Sequence, residues 1–276
     1  MIENEILFAL PIFTPRFNEC MAEKKLILVC NDDGITAPGI RNLIEVCKGF
    51  GDVVVVAPDK PQSAMGHAIT INATLRVQAM RSESALEYAC SGTPVDCIKL
   101  AVNKILHRKP DLLVSGINHG SNASINVIYS GTMSAAMEGA MEGIPSIGFS
   151  LCNHSIDADF TLSRQVAHTI ISKALNDPMP AGICLNVNIP DIAPEMLKGI
   201  KVCRQARANW EEEFDERRDP NGRPYYWLTG VFKNYDQGTD TDIWALENNY
   251  VSLVPCQFDI TAHSSLAHYK SWEDNA

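Results

Sequence analysis

Apolar residues fall along this chain in two kinds of run. The first is short and continuous: Leu26-Ile27-Leu28-Val29-Cys30, then Val53-Val54-Val55-Val56-Ala57. A run without polar alternation, bounded by charge or turn residues, predicts a strand buried on both faces. The second kind is spaced by three or four. Ile40, Leu43, Ile44 and Cys47 predict one helical face over 38–50, ended by Gly51. The alternation continues with a helix over 94–107, a strand over 111–115, a helix over 132–142, a strand over 147–150, a helix over 157–176 and a strand over 183–187. Repeated strand–helix–strand order predicts an α/β fold built on a parallel sheet. Thr70 to Gln78 and Leu86 to Cys90 read as extended additions, with antiparallel pairing open.

The pattern changes near residue 200. Charges cluster over Glu211–Arg218 and aromatics at Tyr225, Tyr226 and Trp227, a composition that fits a hairpin arm better than a core. The apolar run Ile6 to Phe13 has no preceding Lys or Arg and is too short to span a bilayer, and no other segment could cross one. The organisation expected is an extension outside the fold over 1–20, a catalytic core over 21–200 and a C-terminal oligomerisation arm over 201–276.

Composition narrows the function. A net charge of −10 argues against duplex nucleic acid as partner, because phosphate contacts need Lys and Arg. A single nucleotide remains open, since a bound divalent cation supplies local positive charge. The nine cysteines are odd in number and form no Cys-x-x-Cys pair, which points away from a zinc knuckle and toward a reducing, cytoplasmic compartment.

Ligands of doubly wound sheets bind beyond the carboxyl ends of the strands. Three loops there, 31–39, 58–67 and 115–122, are rich in Asp, Asn, Ser and Gly. Asn31-Asp32-Asp33-Gly34 is either a solvated turn or a hard-cation site, because adjacent carboxylates repel unless a cation or water separates them. Ser63 is either an ordinary loop serine or a neutral oxygen ligand, and nearby His67 either a packed residue or an acid–base group. Asn118 and Asn122 have amide oxygens for a metal and NH₂ groups for phosphate. Ser130-Gly131-Thr132 precedes a helix, where free N–H groups attract phosphate; a plain N-cap is the competing reading. No P-loop, Gly-x-Gly-x-x-Gly or Gly-x-Ser-x-Gly sequence is present.

Taken together, these segments resemble the SurE family of survival-protein nucleotidases. The resemblance rests on Ile27–Ile35, Ala57-Pro58-Asp59 through Ser63–His67, Gly92-Thr93-Pro94-Val95-Asp96-Cys97, Ser115–Asn122 and Tyr129–Thr132. Later it includes Asp219–Trp227, Thr239–Asp242 and Tyr250-Val251-Ser252. It spans roughly residues 24–265. Asn249 stands where a glycine is usual, a replacement that left-handed backbone tolerates. The resemblance implies a Rossmann-like, mainly parallel three-layer core. It also implies one divalent cation per subunit, Mg²⁺ or Mn²⁺, held by Asp32, Asp33, Ser63 and Asn118, with Asp32, Asp33 and Asn118 catalytic. The implied activity is hydrolysis of nucleoside 5′-monophosphates, with 3′-monophosphates as further substrates, and the implied assembly is a dimer or tetramer that exchanges C-terminal arms. Asn122, Ser130, Gly131 and Thr132 are the expected phosphate contacts. The alternative is a non-catalytic nucleotide-binding module on the same fold.

Overall fold

The computed structural model describes residues 24–82 and 85–275; the expected extension over 1–20 lies outside them. In chain order the elements are β1 (Leu26–Cys30), α1 (Pro38–Cys47), β2 (Asp52–Pro58), β3 (Val77–Met80), β4 (Leu86–Cys90), α2 (Pro94–Leu100), β5 (Leu112–His119), α3 (Gly131–Met141), β6 (Ser146–Leu151), α4 (Thr161–Asn176) and β7 (Ile183–Ile189). Then follow β8 (Ile200–Val202), β9 (Ala208–Arg218), β10 (Pro224–Asn234), α5 (Asp242–Glu247) and β11 (Val251–Gln257).

Nine strands form one sheet in the order β3-β4-β2-β1-β5-β6-β7-β11-β8. From β4 to β7 every neighbour pair is parallel. The continuous apolar runs are explained by helices on both faces. Ile27 and Val29 of β1, with Val53 and Val55 of β2, join the core that holds Ile40, Leu43 and Ile44 of α1 and Val166 and Ile170 of α4. The intervening Leu28, Cys30, Val54 and Val56 join the opposite core, with Cys97 and Ile98 of α2 and Ala135 of α3. Each buried Val, Leu or Ile among them contributes about 1.5–3 kcal/mol, so alternate positions lock both helix layers onto one sheet.

The chain leaves β1 first toward β2 and later returns to place β5 on the other side, so the order reverses between β1 and β5. The loops after β1 and β5 therefore diverge and open a crevice at the carboxyl edge.

Several boundaries differ from the sequence pattern. Leu86–Cys90 pairs parallel with β2, and of these two additions it is β3 that is antiparallel, against β4. The helix expected over 94–107 is α-helical to Leu100 and continues as a π-turn over Ala101–Ile105, closed by Leu106 N–H on the Ala101 carbonyl at 2.9 Å. β5 runs on to His119, so Asn118 lies in a strand rather than a loop, beyond a register shift between Ser115 and Asn118. Residues after 200 are not arm alone: β11 pairs antiparallel with β7, and β8 extends the same sheet. Asn249, before β11, has φ 67°, the left-handed backbone that glycine otherwise serves. β9 and β10 form a separate antiparallel hairpin closed by the turn Asp219–Arg223.

Candidate active site

The loop after β1 turns at once. Asn31 Nδ2 donates to the Gly34 carbonyl at 2.9 Å, and Gly34 adopts φ 99°. This presents Asp32 and Asp33 at the crevice. Asp32 is 4% exposed, and its Oδ1 accepts a short hydrogen bond from the Thr132 hydroxyl at the start of α3. Gly131 makes that approach possible: a Cβ there would lie 2.6 Å from the Asp32 Cβ. Asp33 Oδ2 accepts from the His119 backbone N–H at 3.3 Å. Asn118, the residue before, spends its NH₂ on the Gly120 carbonyl at 2.8 Å, which leaves its amide oxygen available to a cation.

Burial pushes the Asp32 carboxyl up to about 6, and the charge of Asp33 pushes the same way against the Thr132 hydrogen bond. Burial also raises Asp33, opposed by the His119 N–H and imidazole. No Lys or Arg side chain is among the groups that offset either charge. A buried carboxylate beside a half-buried one, with only an imidazole nearby, is the kind of charge a hard divalent cation relieves. Among the described residues no group of three or more His, Cys, Asp or Glu gathers around a common point. The donors expected from the sequence are two carboxylates, an amide and a hydroxyl, all oxygen. This set fits Mg²⁺ or Mn²⁺ and disfavours zinc.

Ser63 stands exposed in the loop after β2. That loop is tied to the carboxylates by its backbone, through Gln62 N–H on the Asp32 carbonyl at 2.7 Å. Ser130 is the N-cap of α3, its hydroxyl accepting from Met133 N–H at 3.0 Å. Met133 N–H is spent on this cap and Thr132 N–H lies against the Asp32 carboxylate, so the Ser130 hydroxyl proton and the Gly131 N–H are the donors left at the start of α3. Thr132 donates to Asp32, so its hydroxyl joins the acidic side of the site.

Asn122 is held from several sides. Its Nδ2 donates to Ser150 Oγ at 2.8 Å, its backbone N–H to Asn188 Oδ1 at 2.7 Å, and its carbonyl accepts from Asn186 Nδ2 at 2.9 Å. Ser150, Asn186 and Asn188 were not singled out in the sequence. The signal was present in Ile183–Ile189, where two asparagines interrupt an otherwise apolar buried strand, since polar groups are buried only when bonded.

The chain matches the family model described as "Survival protein SurE" over residues 27–212. This chain belongs to the SurE family. It is 62% identical over 256 residues to the 5′-nucleotidase SurE of Christiangramia forsetii, covering 92% of this chain and 98% of that protein. It is 60% identical to the Flavobacterium psychrophilum 5′-nucleotidase SurE, covering 91% and 99%. The crystal structure of the SurE protein from Aquifex aeolicus is similar at TM-score 0.79 and 40% identity, covering 90% of this chain and all of that one. The carboxylate pair and the Ser-Gly-Thr helix start both fall inside the matched SurE region.

Proposed function

We propose that this SurE chain is a 5′-nucleotidase that uses a divalent cation, Mg²⁺ or Mn²⁺, held by Asp32, Asp33, Asn118 and Ser63. The observation that carries the reading is the adjacent carboxylates of buried Asp32 and half-buried Asp33 facing the start of α3, offset by no nearby side chain more basic than the His119 imidazole. Such a cation, when bound, polarises the phosphoryl group and lowers the pKa of a water molecule. The protein's own groups do the rest. The Ser130 hydroxyl and the Gly131 N–H at the start of α3 hold the phosphoryl oxygens, and Gly131 keeps that surface open to close approach. Asn122, fixed by Ser150, Asn186 and Asn188, lines the same end of the sheet. In-line attack of water on phosphorus then releases the nucleoside. A panel of nucleoside 5′- and 3′-monophosphates, assayed with Mg²⁺, with Mn²⁺ and with chelator, tests this. Turnover that persists in chelator sinks the cation dependence, whereas nucleotide binding without turnover supports the non-catalytic alternative.

The hairpin β9–β10 supports a homo-oligomer of at least two chains. Trp210, Phe214, Tyr226 and Leu228 lie on one of its faces and are 40–67% exposed, the kind of contiguous apolar surface that marks an interface. Exchange of this arm between identical chains covers that face. No helix of the described residues is long and apolar enough to cross a membrane. All eight cysteines described are free thiols, which supports a reducing cytoplasm.

A further inference from the structure

Glu138 lies in α3, two turns beyond Gly131, and is 1% exposed. The phosphoryl-binding and cation-binding groups above make no use of it. A buried carboxylate is retained only where bonded partners offset its desolvation. It has two. Lys99 of α2 donates a short bond to Oε1, and His67 Nε2 lies 2.9 Å from Oε2, where an ionised carboxylate requires the ring nitrogen to be the donor. Burial alone would push the Glu138 carboxyl up; the hydrogen bonds from His67 and Lys99 instead hold it below its ordinary value.

His67 belongs to the loop that carries Ser63, and this loop is pinned at both ends. Before Ser63, Gln62 N–H binds the Asp32 carbonyl at 2.7 Å. After it, Gly66 N–H binds the Tyr129 carbonyl at 3.2 Å, the Thr93 hydroxyl binds the Ala68 carbonyl at 2.7 Å, and Thr70 gives both its N–H and its hydroxyl to Asp96. Thr93 and Asp96 also form the capping box of α2, so the loop is stapled to a helix end that is itself fixed. Between the two anchors the backbone is strained. Ala64 and Gly66 have φ 59° and 54°, and a left-handed alanine persists only where its surroundings over-determine it.

We propose that Glu138 and His67 are positioning residues that clamp the Ser63 loop onto α3, so that the hydroxyl donor and the phosphoryl-binding end of that helix keep one geometry. This rests on the reading of Ser63 as a cation ligand. The buried carboxylate is the fixed post, Lys99 fixes its rotamer and charge, and His67 is the hook. Groups that orient a metal ligand from behind typically change metal affinity by about 10–100-fold when removed.

The test varies the hook, because replacing Glu138 disturbs a fully buried position of α3 and endangers the fold. In the full chain, His67→Ala should speed amide hydrogen exchange of residues 63–70 in the metal-free protein and weaken Mn²⁺ binding about tenfold, with kcat falling more than KM rises. His67→Gln, whose amide nitrogen can stand in for Nε2, should recover most of both effects. Ser63→Ala separates the clamp from the ligand reading. Faster exchange in His67→Ala, with Mn²⁺ affinity unchanged in Ser63→Ala alone, would keep the clamp and remove Ser63 from the ligand set. Unchanged exchange in His67→Ala, or the same loss in the Ala and Gln variants, overturns the clamp.

Discussion

At Asp32, burial and charge are in the sharpest conflict. Its folded-state carboxyl titrates at about 6 against an ordinary 3.8, so the metal-free fold binds this proton more tightly than the unfolded chain does. The sign follows: the contribution is complete below about pH 4 and is lost as the pH rises through about 6, on the order of 3 kcal/mol in all. Other acids, such as Asp111 and Asp259, are held low and act in the opposite sense, so a difference measurement is needed. Without metal, Asp32→Asn should be more stable than the parent at about pH 8 and lose that advantage toward about pH 4. Denaturant curves of the two that stay parallel across this range would count against the burial of an uncompensated charge. The same variant, and Asp33→Asn, should lose most nucleotidase activity and bind Mn²⁺ more weakly. Calorimetry with unchanged affinity in both would remove them from the ligand set. Gly131 is constrained by space alone, because a Cβ meets the Asp32 Cβ at 2.6 Å, and that atom is fixed to the main chain rather than at the yielding end of a flexible side chain. Gly131→Ala should therefore cost about 1–3 kcal/mol despite alanine's helix preference, and lower kcat at least tenfold. Melting temperature and steady-state kinetics on one preparation check both.

Among the elements, β7 shows how a strand takes on a polar duty. Cys184 and Val187 are fully buried core residues, while Asn186 and Asn188 carry bonds to the loop after β5. Asn188→Ala would strand the Asn122 N–H and the Asn186 amide oxygen in a buried setting, at about 2 kcal/mol. Denaturant unfolding should show that loss, with KM for nucleotide raised through Asn122. A stability change under about 0.5 kcal/mol would mean that water replaces the asparagine and that the network does not hold the loop. β1 illustrates the other extreme. Its five residues alternate between two apolar cores, and a continuous apolar run bounded by Asn31-Asp32-Asp33-Gly34 is enough to predict that.

Across the whole molecule, the hairpin is the least self-sufficient part. The Arg204 guanidinium grips Asp236 and Asp240 at its base, but little covers the apolar face beyond. Because Trp210 and Phe232 are directly paired, residues 211–231 can be replaced by an Asn-Gly turn that preserves the pairing register. Light scattering should then show smaller particles than the parent, and Mn²⁺ binding should survive because Asp32, Asp33 and Asn118 lie elsewhere. Unchanged particle size would mean that other surfaces hold the subunits together.

Whatever depends on neighbours along the chain is already written in the order of residues. Two-sided burial of strands, helical faces, the turn at Asn31–Gly34 and the N-cap at Ser130 are all set by local periodicity and side-chain chemistry, and so they were legible. Whatever depends on which strands become neighbours arises only in the folded chain. The parallel pairing of β4 with β2, the recruitment of β11 beside β7, the Thr132–Asp32 bond across 100 residues and the Glu138–His67 contact across 71 residues are such cases. Each joins residues distant along the chain, and no local pattern records which distant partner will offset a buried charge or satisfy a strand edge. That is settled only when the sheet order is fixed, because burial then makes every unpaired polar group costly.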